Sequence, residues 1–159
     1  MIQRKTVTPQ QALVRLEEQC ARAEHSTGEL RLKMRRWGIT PSDADKIIDS
    51  LVSRHFVDDS RFAAAYVRDK VEYGGWGRRK IALGLYQKGV ARDIISAALD
   101  EIDSDRYIER LREIIDRKRR ATAEADTYEG RTRIYRHAAS RGFEPDLIAK
   151  VLREIKKPD

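Results

Sequence analysis

The chain is short of most of what builds a catalytic or membrane protein. One cysteine among 159 residues rules out an internal disulfide, and Cys20 reads as a small core residue on a helical face. His25, His55 and His137 stand far apart, with no cysteines at zinc spacing. No stretch approaches the length of a membrane span. Met1 to Thr8 holds basic residues without an apolar run, so no secretory signal is expected. Strand signals are scarce, with no sustained alternation and no Asn-Gly or Asp-Gly turn. Gly74-Gly75-Trp76-Gly77 lacks the Gly-Lys-Ser/Thr ending of a phosphate loop. No Ser/His/Asp or Cys/His arrangement is suggested. These absences point to a soluble cytoplasmic protein that is not an enzyme and needs neither metal nor cofactor.

What remains is helical and repetitive. Hydrophobic residues make up 40% and charged ones 37%, a balance typical of helical proteins with much solvated surface. Three stretches, Leu30 to Val52, Ile81 to Leu99 and Ile134 to Leu152, share one pattern: a basic helix, a glycine, an apolar residue and a second amphipathic helix. Aligned on Gly38, Gly89 and Gly142, the residue four before is Met34, Leu85 or Ala138, and the one after is Ile39, Val90 or Phe143. Those two positions touch when a helix ends in a Schellman stop around a left-handed glycine. Helix starts are marked by Thr8-Pro9, Thr40-Pro41, Pro145 and the capping pair Ser26 and Glu29.

The expected fold is therefore all-α: three tandem three-helix repeats stacked in an elongated, curved array. After a tail at 1–8, repeat one (9–57) holds helices 9–24, 27–37 and 41–54. Repeat two (58–103) holds 60–73, 77–88 and 91–101, and repeat three (104–157) holds 105–120, 128–141 and 145–156. Ala121 to Thr127 is the loosest segment, a polar insertion. Leu30, Ile81 and Ile134 are core positions, where truncation to alanine should cost roughly 2–5 kcal/mol.

Charge is distributed by element. The net charge is +7, which favours an anionic partner. The middle helices carry twelve bases: Arg31, Lys33, Arg35 and Arg36; Arg78, Arg79, Lys80 and Lys88; Arg131, Arg133, Arg136 and Arg141. Glu29 accompanies the first group, and no acid lies between Gly130 and Gly142. A single charge run is usually a solvated face. A run recurring on the same element of each repeat instead predicts a basic track for a polyanion or an acidic groove. Its bases are expected to be exposed, so that reversing Arg78 and Arg79 together spares the fold. Arg117-Lys118-Arg119-Arg120 adds a patch diluted by Glu109, Glu113 and Asp116. Tyr66 reads as core and Trp76 as either a lid or an outward-facing ring. Asp58 and Asp59 could hold a metal for phosphodiester cleavage, but capping of the helix before Phe62 is the stronger reading.

Phe56-Val57-Asp58-Asp59-Ser60-Arg61-Phe62-Ala63, Tyr66-Val67, Gly77-Arg78-Arg79-Lys80-Ile81 and Lys88-Gly89-Val90 together resemble the RecX family. Ser26-Thr27-Gly28-Glu29-Leu30 and Arg141-Gly142-Phe143 resemble its first- and third-repeat signatures. The resemblance covers residues 12 to 152. Gly84 departs from it where glutamate is usual, as does Lys70 where arginine is common, and Trp76 lies in the turn. Gly84 weakens its helix by about 1 kcal/mol relative to alanine and marks a close helix contact. The resemblance implies a monomeric, non-enzymatic modulator that binds the RecA nucleoprotein filament and inhibits its ATPase, extension and strand exchange. Single- and double-stranded DNA are further possible contacts. The alternative is a stand-alone basic nucleic-acid-binding protein independent of RecA.

Overall fold

The computed structural model describes residues 6–155, so the start of the tail at 1–5 and the expected ends at 156 and 157 lie outside the described residues. Nine α-helices and no strand are present among them: α1 (Pro9–Arg22), α2 (Thr27–Arg36), α3 (Pro41–Ser53), α4 (Asp59–Asp69), α5 (Arg78–Gln87), α6 (Arg92–Asp100), α7 (Ser104–Arg120), α8 (Tyr128–Ser140) and α9 (Pro145–Ile155). The expected helices are all there, with ends shifted by one or two residues except in α4. That helix gives way after Asp69 to a π-helical turn, Lys70–Gly74, closed by Gly75 at φ +62°. A π turn exposes no sequence signal of its own, which is why 60–73 read as one helix.

The local signals act as expected. Thr8 with Gln11 and Ser26 with Glu29 form reciprocal capping boxes, and Thr40 caps α3 ahead of Pro41. The three repeated glycines are all left-handed, at φ +78°, +77° and +94° for Gly38, Gly89 and Gly142. The amides of Ile39, Val90 and Phe143 reach back to the carbonyls of Met34, Leu85 and Ala138 at 2.9, 3.1 and 3.3 Å. These are Schellman stops, and the apolar pair at each is buried.

The chain forms two compact bodies, residues 6–64 with 85–95, and 65–84 with 96–155. They cut across the repeat boundaries because α4, α5 and α6 each contribute residues to both. In the first body, Ala12 and Leu16 of α1 pack with Leu30 and Met34 of α2 and Ile47, Ile48 and Leu51 of α3. In the second, Tyr107, Leu111 and Ile115 of α7 pack with Ile134 and Ala138 of α8, Phe143, and Ile148 and Val151 of α9. Leu30 and Ile81 are fully buried and Ile134 almost so, as the spacing predicts.

Candidate interface on the middle helices

The middle helices are held at their ends by glycines. In the first body the N-terminus of α2 meets the stop of α5. Ser26 Oγ donates to the Lys88 carbonyl at 2.6 Å, and the Lys88 ammonium lies 3.6 Å from Glu29. Gly28 is so close that an added Cβ would lie 2.8 Å from Gly89 Cα and overlap the Lys88 carbonyl oxygen. In the second body the N-terminus of α5 meets the stop of α8. Gly77 N–H donates to the Arg141 carbonyl at 2.7 Å, and Arg79 N–H to the Gly142 carbonyl at 3.0 Å. In the second body two backbone donors of one helix start thus meet carbonyls at the end of another, and in the first body the Ser26 hydroxyl makes the equivalent bond.

The N-terminus of α8 is treated differently. Thr127 caps it, accepting from Gly130 N–H at 3.1 Å, and Thr127 Oγ1 donates to the Glu124 carbonyl at 2.7 Å. An added Cβ on Gly130 would overlap that same carbonyl. The insertion at 121–127 is therefore folded onto the helix start, with Glu124 at φ +52° and Asp126 paired to Arg119 at 3.1 Å.

Contacts within the fold decide which of the twelve bases are free. Six are engaged. Arg31 pairs with Asp45 at 2.6 Å, Lys33 donates to Gln19, and Lys88 meets Glu29. Arg78 pairs with Glu144 at 2.9 Å and stacks 4.0 Å over the Tyr107 ring. Arg141 donates to the Gly74 carbonyl at 3.0 Å, and the Lys80 ammonium lies 4.4 Å from the Trp76 ring centre. The other six, Arg35, Arg36, Arg79, Arg131, Arg133 and Arg136, have no side-chain partner among the described residues. Arg131 is half-buried and the other five are exposed.

Arg78 is not the exposed base that the sequence predicts: it is half-buried and paired. Arg78 N–H donates to the Tyr107 hydroxyl at 2.9 Å, and that hydroxyl reaches Glu144 Oε1 at 2.5 Å. Tyr107 is fully buried. Burial, with the Glu144 hydrogen bond next, raises its phenol pKa well above the ordinary tyrosine value. Arg78, Tyr107 and Glu144 form one polar network at the α5–α8 junction.

Trp76 is half-buried with Lys70 and Lys80 each 4.4 Å from its ring centre, and Tyr66 meets it edge-on at 6.3 Å. It is a packed ring with a cationic rim. Tyr66 is half-buried too. Arg117 to Arg120 is mixed as expected, with Arg119 paired to Asp126 and Arg120 to Asp116.

The acidic pair is split between two helix starts. Asp58 caps α4, accepting from Arg61 N–H at 3.1 Å. Asp59 instead accepts from Thr27 N–H at 2.8 Å and from Thr27 Oγ1 at 2.7 Å, at the start of α2. No metal-binding cluster of His, Cys, Asp or Glu occurs among the described residues, and none of their helices is long and apolar enough to cross a membrane. Cys20 is half-buried, and desolvation followed by the Glu24 charge raises its thiol pKa.

Sequence reasoning missed the role of Asp59 and the junction glycines. A signal for the latter was present, because Gly28, Gly77 and Gly130 each lie at the start of a middle helix.

Comparison with known families matches residues 58–99 to the second three-helix domain of RecX and residues 105–152 to the third. The regulatory protein RecX of Prosthecochloris aestuarii is 30% identical over 132 residues, covering 83% of this chain and 85% of that protein. That of Halorhodospira halophila is 33% identical over 128 residues, covering 80% and 78%. The RecX of Clostridium botulinum strain Eklund 17B is 32% identical over 128 residues, and there the match spans only 59% of the relative's length. The crystal structure of RecX from Lactobacillus salivarius superposes with a TM-score of 0.82 at 20% identity, over 92% of this chain and 95% of that one. At that identity the likeness shows a shared fold.

Proposed function

This chain belongs to the RecX family, and we propose that it is a regulator that binds the RecA filament on DNA and restrains its ATP hydrolysis, extension and strand exchange. It does so as a cytoplasmic monomer built of three-helix repeats, with no turnover of its own. The observation that supports this reading is the division of the basic residues. Six arginines on α2, α5 and α8 have no side-chain partner among the described residues, while the other six bases are engaged by contacts within the fold. Unpaired guanidiniums on rigid helices meet phosphates or carboxylates without first breaking an internal ion pair. A filament offers both groups at regular spacing.

Regulation by binding also accounts for the acidic residues. Asp58 and Asp59 are each engaged at a helix start, which supports a capping role over a nuclease site. The test is co-sedimentation of the purified protein with RecA filaments on single-stranded DNA, beside bare DNA at the same salt, together with RecA's ATPase. Preferential binding to filaments and a slowed ATPase are expected. Equal binding to filaments and bare DNA, with no effect on the ATPase, would mean a stand-alone nucleic-acid-binding protein.

A further inference from the structure

Three stops of the same geometry end the middle helices, and two of them are filled. At Gly89 an added Cβ would lie 2.9 Å from Gly28 Cα. At Gly142 it would lie 3.0 Å from Lys80 Cα. At Gly38 it would meet nothing within 4 Å among the described residues, and Gly38 is exposed.

The acceptors follow the same division. The carbonyl one residue before the glycine receives Ser26 Oγ at Lys88 and Gly77 N–H at Arg141. Its counterpart at Trp37 accepts no hydrogen bond from the described residues, and neither does that of Gly38. In both filled stops the base just before the glycine also reaches the incoming segment: Lys88 meets Glu29 and Arg141 meets the Gly74 carbonyl. At the open stop that position is Trp37, and the bases next to it in the last turn, Arg35 and Arg36, are both unpartnered among the described residues.

We propose that the Gly38 turn is a docking site for the N-terminus of a helix from a protein partner, one carrying a glycine and a carboxylate at its start. The chemistry follows from what fills the sister turns. Free N–H groups at a helix start are complementary to the open carbonyls of Trp37 and Gly38. Only a glycine permits the close approach that Gly28 and Gly77 make, since a Cβ at either would overlap the facing backbone. A first-turn carboxylate answers Arg35 or Arg36 as Glu29 answers Lys88. A nucleic acid would satisfy the arginines but has no donor row for the carbonyls of a helix end.

The inference rests on the reading that the partner is the RecA filament, and the experiment separates the two. Gly38→Asn retains access to the left-handed backbone region and adds a side chain only where the surface is open. Filament binding of parent and variant is measured by co-sedimentation on single-stranded DNA, with thermal melting of each as a control. The expected result is a drop of tenfold or more in filament affinity at unchanged melting. Parent-like binding by the variant overturns the docking site while leaving the filament reading intact. A parent protein that ignores the filament overturns both. Should the variant melt early, oxidative labelling of Trp37 in the parent decides instead. Protection on the filament supports the site, and unchanged labelling overturns it.

Discussion

Asp59, at the start of α4, holds Thr27, at the start of α2, with both carboxylate oxygens. Oδ1 accepts the backbone N–H at 2.8 Å and Oδ2 the side-chain hydroxyl at 2.7 Å. One acid therefore satisfies an orphan helix donor 32 residues away and ties two helices of the first body. Hydrogen bonds to a charged acceptor contribute roughly 1.5–3 kcal/mol. Asp59→Ala is accordingly expected to cost about 2 kcal/mol, or roughly 4–8 °C in melting temperature. Asp58→Ala removes an ordinary cap worth about 1 kcal/mol. Thermal circular dichroism of both variants checks the order. A parent-like melt for Asp59→Ala would show the contact to be energetically idle.

A second prediction concerns Gly84 and Tyr66, both in the second body. An added Cβ at Gly84 would overlap the Tyr66 hydroxyl and lie 3.1 Å from Cζ. Gly84→Ala gains about 1 kcal/mol of helix propensity and loses roughly 1–3 kcal/mol to overpacking. Tyr66→Phe removes the obstructing oxygen and costs stability through the interactions it ends. The double variant is therefore expected to be at least about 1 kcal/mol more stable than the sum of the single changes. Urea unfolding measures this; additivity within about 0.5 kcal/mol would mean that the two residues do not compete for space.

A third prediction is a pH dependence carried by His137. Burial, then the charges of Lys118 and Arg141, hold its imidazole below the ordinary histidine value. The unfolded chain takes up this proton near pH 6.5, while the folded chain takes it up only at lower pH. Below about pH 6.5 the unfolded state therefore binds more protons, and stability falls as pH falls until folded His137 also protonates. Unfolding free energies at pH 7, 6 and 5 should decline less steeply in His137→Gln than in the parent. Lys118→Gln should move the His137 titration upward in a magnetic resonance experiment. Identical slopes in parent and His137→Gln would remove His137 as the cause.

Local structure was legible because its signals are local. Pro9, Pro41 and Pro145 open helices, Ser26 and Thr8 cap them, and Gly38, Gly89 and Gly142 end them through contacts within six residues. Long-range destinations left no such trace. Nothing beside Asp59 says that its carboxylate serves α2 rather than its own helix. The insertion at 121–127 read as loose because its partner, the start of α8, is visible only after folding. The basic residues were legible as a set but not as two sets. What separates Arg78 from Arg79 is Glu144, 66 positions beyond the former.

That separation gives the last prediction. Arg78 and its partner Glu144 are each less than a third exposed, and the guanidinium also covers Tyr107. Arg78→Glu would set a second carboxylate against Glu144 and uncover the buried phenol, at a cost of roughly 2–3 kcal/mol. Arg79→Glu, on an exposed side chain without a partner among the described residues, should stay within about 0.5 kcal/mol of the parent. Arg133→Glu with Arg136→Glu should likewise melt like the parent and yet weaken filament binding by tenfold or more. Salt then identifies the counter-charge: about six duplex phosphates neutralised give a log–log slope near −5, and fewer give a shallower one. The informative comparison is between Arg79→Glu and Arg78→Glu at matched folded fractions, since Arg78→Glu also loses binding through unfolding. If Arg79→Glu and the α8 double variant both bind filaments like the parent, the unpaired arginines are only a solvated face and the filament contact lies elsewhere on the chain.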